Sequence, residues 1–200
     1  MKLLIIYHSR LGTVQRMARL IARGAQSVAD CDVVLRSVPE LTESGPVADP
    51  DQDATVTLDD LKQCHGLIIG SPTRFGNMSA AMKHFLDSTS GLWMSGALQG
   101  KPAGVFTSSS SMHGGQESTL LSMMNPLLHH GMIIAGLPYT LPELHKTQSG
   151  GTPYGPSHVA GSNNDLPISD DEKALCLAFG KRIAQLAVTL AAQLNQDSAL

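Results

Sequence analysis

Short apolar segments alternate along the chain with stretches of helical periodicity. The first segment, Lys2–Tyr7, is nearly continuous in apolar residues, which is typical of a strand covered on both faces in a parallel sheet. Segments of the same kind follow at residues 32–36, 66–70, 102–107 and 132–137. The pattern therefore predicts an α/β domain with five parallel strands and helices on both faces of the sheet.

Helical periodicity is clearest after the first strand and near the end of the chain. Between residues 14 and 28, apolar residues recur at spacings of three and four, which places them on one face of a helix. Residues 80–87 and 117–129 predict two further helices, and Pro126 should bend or shorten the second because proline has no backbone N–H. The last helix is predicted to begin with a capping box at residues 169–172. Its apolar face continues through Leu175, Phe179, Ile183, Leu186 and Leu190.

The length of 200 residues and the apolar composition of 42% predict a single domain. Two segments of this domain do not fit the alternation of strands and helices. Residues 39–57 begin with a stretch rich in proline and acid (39–53), and residues 138–168 are rich in glycine, proline, serine and asparagine through position 167. Segments of that length are usually functional, interfacial or mobile. We predict a loop insertion at residues 39–57. Residues 138–168, including Tyr154, are predicted to form an active-site rim or a subunit contact.

Charge and cysteine content narrow the functional classes. Fourteen basic and seventeen acidic side chains give a formal charge of −3, and no basic run is long enough to bind several phosphates of a nucleic acid. Cys31, Cys64 and Cys176 lack the spacing of a zinc site or a disulfide framework, which indicates reduced thiols. Apolar runs are too short for a signal peptide or a membrane span. We therefore expect a cytoplasmic protein without a metal site or a nucleic-acid partner.

Three strand-to-helix turns carry the candidate chemistry, because ligands of an open parallel sheet bind beyond the carboxyl ends of its strands. Residues 9–14 could surround a phosphate at a helix N-terminus, or simply cap the helix. Residues 71–77 could frame a flat heteroaromatic ring, or form a rigid turn in which Phe75 covers the core. Residues 107–115 offer hydroxyls and two glycines for close contact with a ligand, or form a flexible linker.

Other cofactor and catalytic motifs are missing from the sequence. No Gly-Lys-Ser/Thr follows the first turn, and no Gly-x-Gly-x-x-Gly occurs, so elimination favours a mononucleotide over a nucleoside triphosphate or a dinucleotide. A hydrolase is a poor alternative because the chain has neither a Gly-x-Ser-x-Gly elbow nor a His-Glu-x-x-His pair.

Five short motifs occur in order at residues 71–78, 91–93, 113–117, 128–132 and 150–155. They resemble the WrbA family of flavodoxin-like, FMN-dependent NAD(P)H:quinone oxidoreductases, and the likeness covers nearly the whole chain. The resemblance implies a flavodoxin-like three-layer sandwich with strand order 2-1-3-4-5. It also implies noncovalently bound FMN, NAD(P)H as electron donor, a quinone as acceptor, and a homotetramer with flavin sites near subunit contacts.

The resemblance also implies roles for individual residues. The residues that match the family's phosphate loop are Ser9, Arg10, Leu11, Gly12, Thr13 and Val14. Those that match its isoalloxazine loop are Pro72, Thr73, Arg74, Phe75, Gly76 and Asn77. Those that match the loop on the pyrimidine side of the ring are Ser108, Ser109, Ser110, Ser111, Met112, His113, Gly114 and Gly115. Arg10 and Leu11 depart from the small or hydroxylated residues that are common in such phosphate loops.

Two further residues match the pocket around the ring. His130 matches the family's flavin-site histidine, and Trp93 matches an aromatic residue that lines the pocket where nicotinamide and quinone bind in turn. From the residues alone, His130 could instead be a histidine at a helix end, and Trp93 a hydrophobic lid.

The resemblance implies hydride transfer from NAD(P)H to the flavin, followed by two-electron reduction of a quinone at the same face, which gives ping-pong kinetics. No side chain is required as a proton-transfer catalyst. Arg74 or backbone N–H groups of the two later turns are predicted to stabilise negative charge on the reduced ring. The alternatives are a one-electron flavodoxin carrier, although such carriers are typically more acidic, and a regulatory protein in which flavin is secondary.

Overall fold

A computed structural model describes residues 1–197, with side chains described for residues 1–192. The strands within these residues are β1 (Lys2–Tyr7), β2 (Asp32–Ser37), β3 (Glu40–Thr42), β4 (Gly45–Val47), β5 (Gly66–Pro72), β6 (Pro102–Ser109), β7 (Ile133–Ile134) and β8 (Ser157–Val159). The helices are α1 (Thr13–Ala25), α2 (Leu58–Gln63), α3 (Ala80–Asp87), α4 (Ser90–Met94), α5 (Gln116–His129), α6 (Glu143–Lys146) and α7 (Asp170–Asp197).

The main sheet is parallel and has the order β2-β1-β5-β6-β7, which confirms the predicted order 2-1-3-4-5. The fifth position is divided between two short strands. β7 pairs with the first residues of β6, and β8 pairs with its last three. The predicted fifth strand at residues 132–137 is therefore only two residues long. It ends early because Leu137 N–H donates to the carbonyl of Pro153, 2.8 Å away in the inserted segment.

The sheet is buried on both faces, as the continuous apolar strands predict. Along β1, Leu3, Ile5 and Tyr7 face a cluster that includes residues of α1 and α7, whereas Leu4 and Ile6 face a cluster that includes residues of α3 and α5. These two clusters give the three-layer arrangement of the fold.

Helices α1 and α7 pack with their backbones in contact. A Cβ atom added to Gly180 would lie 1.9 Å from the carbonyl oxygen of Ile21, and one added to Gly24 would lie 2.0 Å from the carbonyl oxygen of Leu177. Any larger residue at either position would therefore push the helices apart. Part of α7, Asp170–Ala192, is long and apolar enough to cross a membrane by length and composition alone. Its residues Leu175, Phe179 and Ile183 are buried in the core.

The ends of two helices test the sequence patterns directly. The capping box of α7 is present, because Glu172 N–H donates to the Ser169 hydroxyl at 3.2 Å and Ser169 N–H donates to the Glu172 carboxylate at 2.8 Å. The predicted shortening at Pro126 does not occur, and α5 continues to His129. Gly131, with φ of 72°, follows that helix, where a left-handed residue commonly ends the hydrogen-bond ladder.

Both inserted segments contain secondary structure. Strands β3 and β4 pair as an antiparallel hairpin within residues 39–57, where a loop is predicted. We call residues 40–47 the hairpin. The second segment, residues 138–168, contains α6 and β8. Neither hairpin nor β8 has an apolar run long enough to be recognised as a strand from the sequence.

Candidate functional site

The three predicted turns all lie at the carboxyl edge of the sheet, because β1, β5 and β6 are parallel neighbours. The first turn joins β1 to α1 and ends at Gly12, whose φ of 80° is favourable only for glycine. Gly12 has no side chain with which to cap the 13-residue helix α1. Instead, the Ser9 hydroxyl accepts a hydrogen bond from Gln15 N–H in the first turn of α1 at 3.3 Å. The other N–H groups of this turn and the Thr13 hydroxyl lie beside it, so the helix N-terminus is a suitable position for an anion.

The second turn is short and rigid. Arg74 and Asn77 exchange backbone hydrogen bonds of 2.8 and 3.0 Å, with Phe75 and Gly76 between them at positive φ. The side chain of Phe75 is fully exposed, so it does not cover the core. Thr73 N–H donates to the carbonyl of Ser108 at 2.9 Å, which joins this turn to the third one.

The third turn packs directly on the second. A Cβ atom added to Gly115, which has φ of 87°, would lie 2.8 Å from Cα of Gly76. Inside the turn, the Ser109 hydroxyl donates to the carbonyl of Ser111 at 2.7 Å, and the Gln116 side-chain amide donates to the carbonyl of Met112 at 3.2 Å. These contacts give the serine-rich stretch a definite conformation, unlike the flexible linker considered above.

A cavity of about 180 Å³ lies where the turns meet. The site residues predicted from the sequence that line this cavity are Ser9, Arg10, Leu11, Thr13, Val14, Pro72, Thr73, Arg74, Ser108, Ser109 and Ser110. A second cavity of about 400 Å³ is lined in part by Met112, His113 and Gly115, together with Gln116 and Thr152. Gly12, Phe75, Gly76, Asn77, Ser111 and Gly114 shape the turns without lining either cavity.

One wall of the first cavity is formed by residues 160–164, here called the 160–164 loop. It belongs to the segment 138–168 for which an active-site rim or a subunit contact is predicted, but none of its residues is among the site residues predicted from the sequence. Ala160, Gly161, Ser162 and Asn164 line the cavity. The Asn164 side-chain oxygen accepts a hydrogen bond from the Thr13 hydroxyl at 2.9 Å, and its amide donates to the carbonyl of Leu11 at 3.3 Å. The available signal was the Gly-Ser-Asn-Asn sequence at residues 161–164, which is typical of a tight turn.

The charge around the first cavity is positive. Arg10 and Arg74 line it, and none of its lining residues in the described part of the chain is acidic. Beside the cavity, Glu40 of the hairpin lies 3.2 Å from His8 Nε2 and 3.6 Å from Arg10 Nε. Burial lowers the pKa of His8, although the nearby Glu40 carboxylate acts in the opposite direction.

Trp93 and His130 lie together but away from the three turns. Both line a cavity of about 380 Å³ with Leu86 and Pro126. Helix α5 separates Gly115 from His130, and its 14 residues span about 21 Å at 1.5 Å per residue. Within one chain, His130 is therefore at the opposite edge of the sheet from the first cavity.

The hydrogen bonds of His130 determine which ring nitrogen carries the proton in the neutral form. The Thr89 hydroxyl donates its proton to the carbonyl of Leu86 at 2.6 Å, so it must accept from His130 Nε2, which lies 2.8 Å away. Burial lowers the pKa of His130, with a smaller contribution from His129. The proton of the neutral ring is thus on Nε2, and Nδ1 is a buried acceptor without a hydrogen-bond partner among the described residues.

The residues at the carboxyl edge fit FMN. A helix N-terminus, hydroxyl groups and two guanidinium groups match a phosphate monoester, and the second and third turns lie on the side where a ring would extend. Residues 1–143 match the family of NADPH-dependent FMN reductases. The NAD(P)H dehydrogenase (quinone) of Geotalea daltonii is 44% identical over 95% of this chain and 98% of that protein, and that of Geobacter sulfurreducens is 43% identical over 95% and 99%.

The chain belongs to the WrbA family of NAD(P)H dehydrogenases (quinone).

Solved structures agree with the membership of this chain in the WrbA family. A flavodoxin, WrbA-like protein from Agrobacterium tumefaciens has a TM-score of 0.69 at 25% identity, covering 94% of this chain and 98% of that one. Oxidised flavodoxin 1 from Bacillus cereus has a TM-score of 0.62 at 19% identity, covering 92% and 98%, and shows the fold alone. The predictions of a flavodoxin-like fold, an enzyme and FMN as cofactor are therefore confirmed.

Proposed function

We propose that this WrbA-family chain catalyses two-electron reduction of quinones by NAD(P)H, using noncovalently bound FMN. The names of the relatives and the family match support this activity. The observation that carries it is the cavity at the carboxyl edge, which Arg10 and Arg74 line together with hydroxyl side chains beside the N-terminus of α1. FMN, when bound, supplies the redox chemistry by taking a hydride from the nucleotide and passing two electrons to the quinone.

The chain itself supplies binding and orientation. Residues 9–14 would hold the phosphate, while residues 72–77 and 108–115 would frame the ring. Arg74 lines the cavity, and its Nη1 donates to the carbonyl of Thr73 at 2.8 Å. This bond orients the guanidinium, so that its charge favours an anionic form of the ring without transferring a proton.

We propose that NAD(P)H and quinone occupy one site in turn. The cavity of about 400 Å³ beside the third turn is lined by His113, Gln116 and Thr152, and it borders the region where the ring would lie. A shared site requires the first product to leave before the second substrate binds. The kinetics should therefore be ping-pong.

We also propose a homotetramer in which Trp93 and His130 of a neighbouring copy complete the site. The support is the position of His130 about 21 Å from Gly115 along α5, with Trp93 lining the same cavity as His130. The exposed side chains of Trp93, Met94 and Leu128 provide apolar surface for such a contact. Sedimentation equilibrium tests the assembly, and a monomeric, fully active enzyme would contradict it.

We propose a cytoplasmic location because the cysteines form no disulfide bonds in the described part of the chain. Cys31, Cys64 and Cys176 are all free, and burial raises the pKa of the Cys64 thiol to about 11, so it is protonated and unreactive at neutral pH. Free thiols are typical of reducing compartments.

The experiment that tests the activity combines spectroscopy with steady-state kinetics. The visible absorbance of oxidised flavin in the FMN-loaded protein should disappear when NAD(P)H is added without oxygen. It should return when a quinone is then added. Double-reciprocal plots at several quinone concentrations should give parallel lines. Convergent lines would contradict the shared site, and a flavin that NAD(P)H does not reduce would favour the one-electron carrier.

A further inference from the structure

Arg10, in the predicted phosphate turn at residues 9–14, forms an ion pair with a residue of another element. Arg10 Nε lies 3.6 Å from Glu40 Oε2, and Glu40 begins strand β3 of the hairpin. The side chains are 62% and 44% exposed, so solvent screens the pair and it contributes little to folding stability. The pair can therefore be exchanged for a better one at small cost.

The cavity next to Arg10 has the charge of a site for a dianion. A phosphate monoester carries about 1.5 to 2 negative charges at neutral pH. Arg10 and Arg74 are the charged residues that line the cavity within the described part of the chain. A guanidinium can donate two parallel hydrogen bonds to a phosphate, which gives a stronger interaction than a solvated ion pair.

We propose that Arg10 is the residue by which this chain selects phosphorylated flavin, and that Glu40 holds its guanidinium until the phosphate replaces the carboxylate. The inference rests on the proposed function, because it concerns the same FMN site. The exchange breaks one ion pair and forms another, with no covalent change. It makes Glu40 a competitor of the ligand rather than a support for the site.

The first experiment compares FMN with riboflavin, which has the same ring and no phosphate. Full-length protein freed of flavin is titrated with each, and binding is followed by quenching of flavin fluorescence. Arg10→Gln should weaken FMN binding about tenfold and leave riboflavin binding unchanged. Arg10→Lys should restore part of the loss. Added salt should weaken FMN binding by the wild type more than by Arg10→Gln.

The matched control is Arg19→Gln. Arg19 is exposed, lies on α1 and pairs with Asp53 at 4.0 Å, so this variant removes the same charge from a residue that does not line the cavity. It should change FMN affinity less than twofold. An equal loss in both arginine variants would overturn the proposal, because it would show a general charge effect.

The second experiment tests whether Glu40 competes with the phosphate for Arg10. Glu40→Gln should tighten FMN binding about threefold, because the guanidinium no longer has a competing carboxylate. The same substitution in the Arg10→Gln background should have no effect. Weaker binding in Glu40→Gln, or equal tightening in both backgrounds, would overturn the exchange. If wild-type protein binds FMN no better than riboflavin, the proposed phosphate site itself is wrong, which is a separate outcome.

Discussion

Glu172 and His158 form a buried pair in which imidazole Nδ1 donates to carboxylate Oε2 over 2.9 Å. The same carboxylate accepts hydrogen bonds from the backbone N–H groups of Gly150, Val159 and Ser169 at 2.7, 3.2 and 2.8 Å. One side chain at the start of α7 thus holds two parts of the segment at residues 138–168. We call Glu172 with these hydrogen bonds the Glu172 clamp. Val159 directly precedes the 160–164 loop, so the clamp also positions one wall of the first cavity, the predicted FMN site.

The first prediction is a loss of stability in acid through Glu172. Burial alone would raise the pKa of Glu172, but hydrogen bonds from His158 and from backbone N–H groups outweigh it and lower the pKa from 4.5 to about 2. A carboxyl with a lowered folded-state pKa stabilises the protein above its unfolded pKa. That contribution, on the order of 3 kcal/mol, is lost as the pH falls from about 4.5 towards 2.

Urea unfolding of the wild type and Glu172→Gln between pH 2 and pH 7 checks this prediction. Glu172→Gln should be less stable at pH 7 and should show a flatter pH profile across the acid range. Glu143→Gln, which removes an acid from the same inserted segment, is the control. Identical acid profiles for wild type and Glu172→Gln would disprove the clamp.

The second prediction concerns Asn164, which joins the 160–164 loop to the phosphate turn. Asn164→Ala removes hydrogen bonds to Thr13 and Leu11, so the wall should open more often and FMN should dissociate about fivefold faster. Stopped-flow measurement of FMN release checks this. The exposed neighbour Asn163 provides the control variant Asn163→Ala, and matching release rates in the two variants would contradict the role of Asn164.

The third prediction separates backbone strain from a clash at Gly115. Gly115→Ala introduces a Cβ at φ of 87° and 2.8 Å from Cα of Gly76, so we expect a loss of about 3 kcal/mol and much weaker FMN binding. Gly100 has φ of 73° with open space around the Cβ position. Gly100→Ala should cost only about 1 kcal/mol and spare FMN binding. Equal losses would mean that the two turns do not pack as described.

The fourth prediction concerns the charge of Arg74. Arg74→Ala removes a cation from the cavity, so reduction of bound flavin to an anionic ring should become less favourable, with a potential about 30 mV lower. Potentiometric titration with Arg19→Ala as the control checks the effect. An unchanged potential would assign charge stabilisation to the backbone N–H groups of the turns instead.

The parts of the fold that could be predicted from sequence are those with local signals. Continuous apolar runs predict the four long parallel strands β1, β2, β5 and β6, and parallel topology brings the three turns to one edge. The three-residue strand β8 lies in a glycine- and proline-rich stretch and has no such signal. It forms because β6 offers a free edge and Glu172 holds Val159 beside it.

The parts of the site that could not be predicted depend on distant contacts. Asn164 meets Thr13 and Leu11 across separations of 151 and 153 residues, which no local pattern records. The position of His130 follows from the direction of α5, which runs back to the opposite edge of the sheet from the turns. Family motifs identify such residues without showing where in the fold they lie.

The contact between α1 and α7 has a consequence during biosynthesis. Because Gly24 and Gly180 let these helices touch, the layer that covers Leu3, Ile5 and Tyr7 combines the first helix with the last. A nascent chain therefore displays one apolar face of β1 until α7 has left the ribosome. Chaperones that shield emerging polypeptides can bind this face during the synthesis of the residues between β1 and α7.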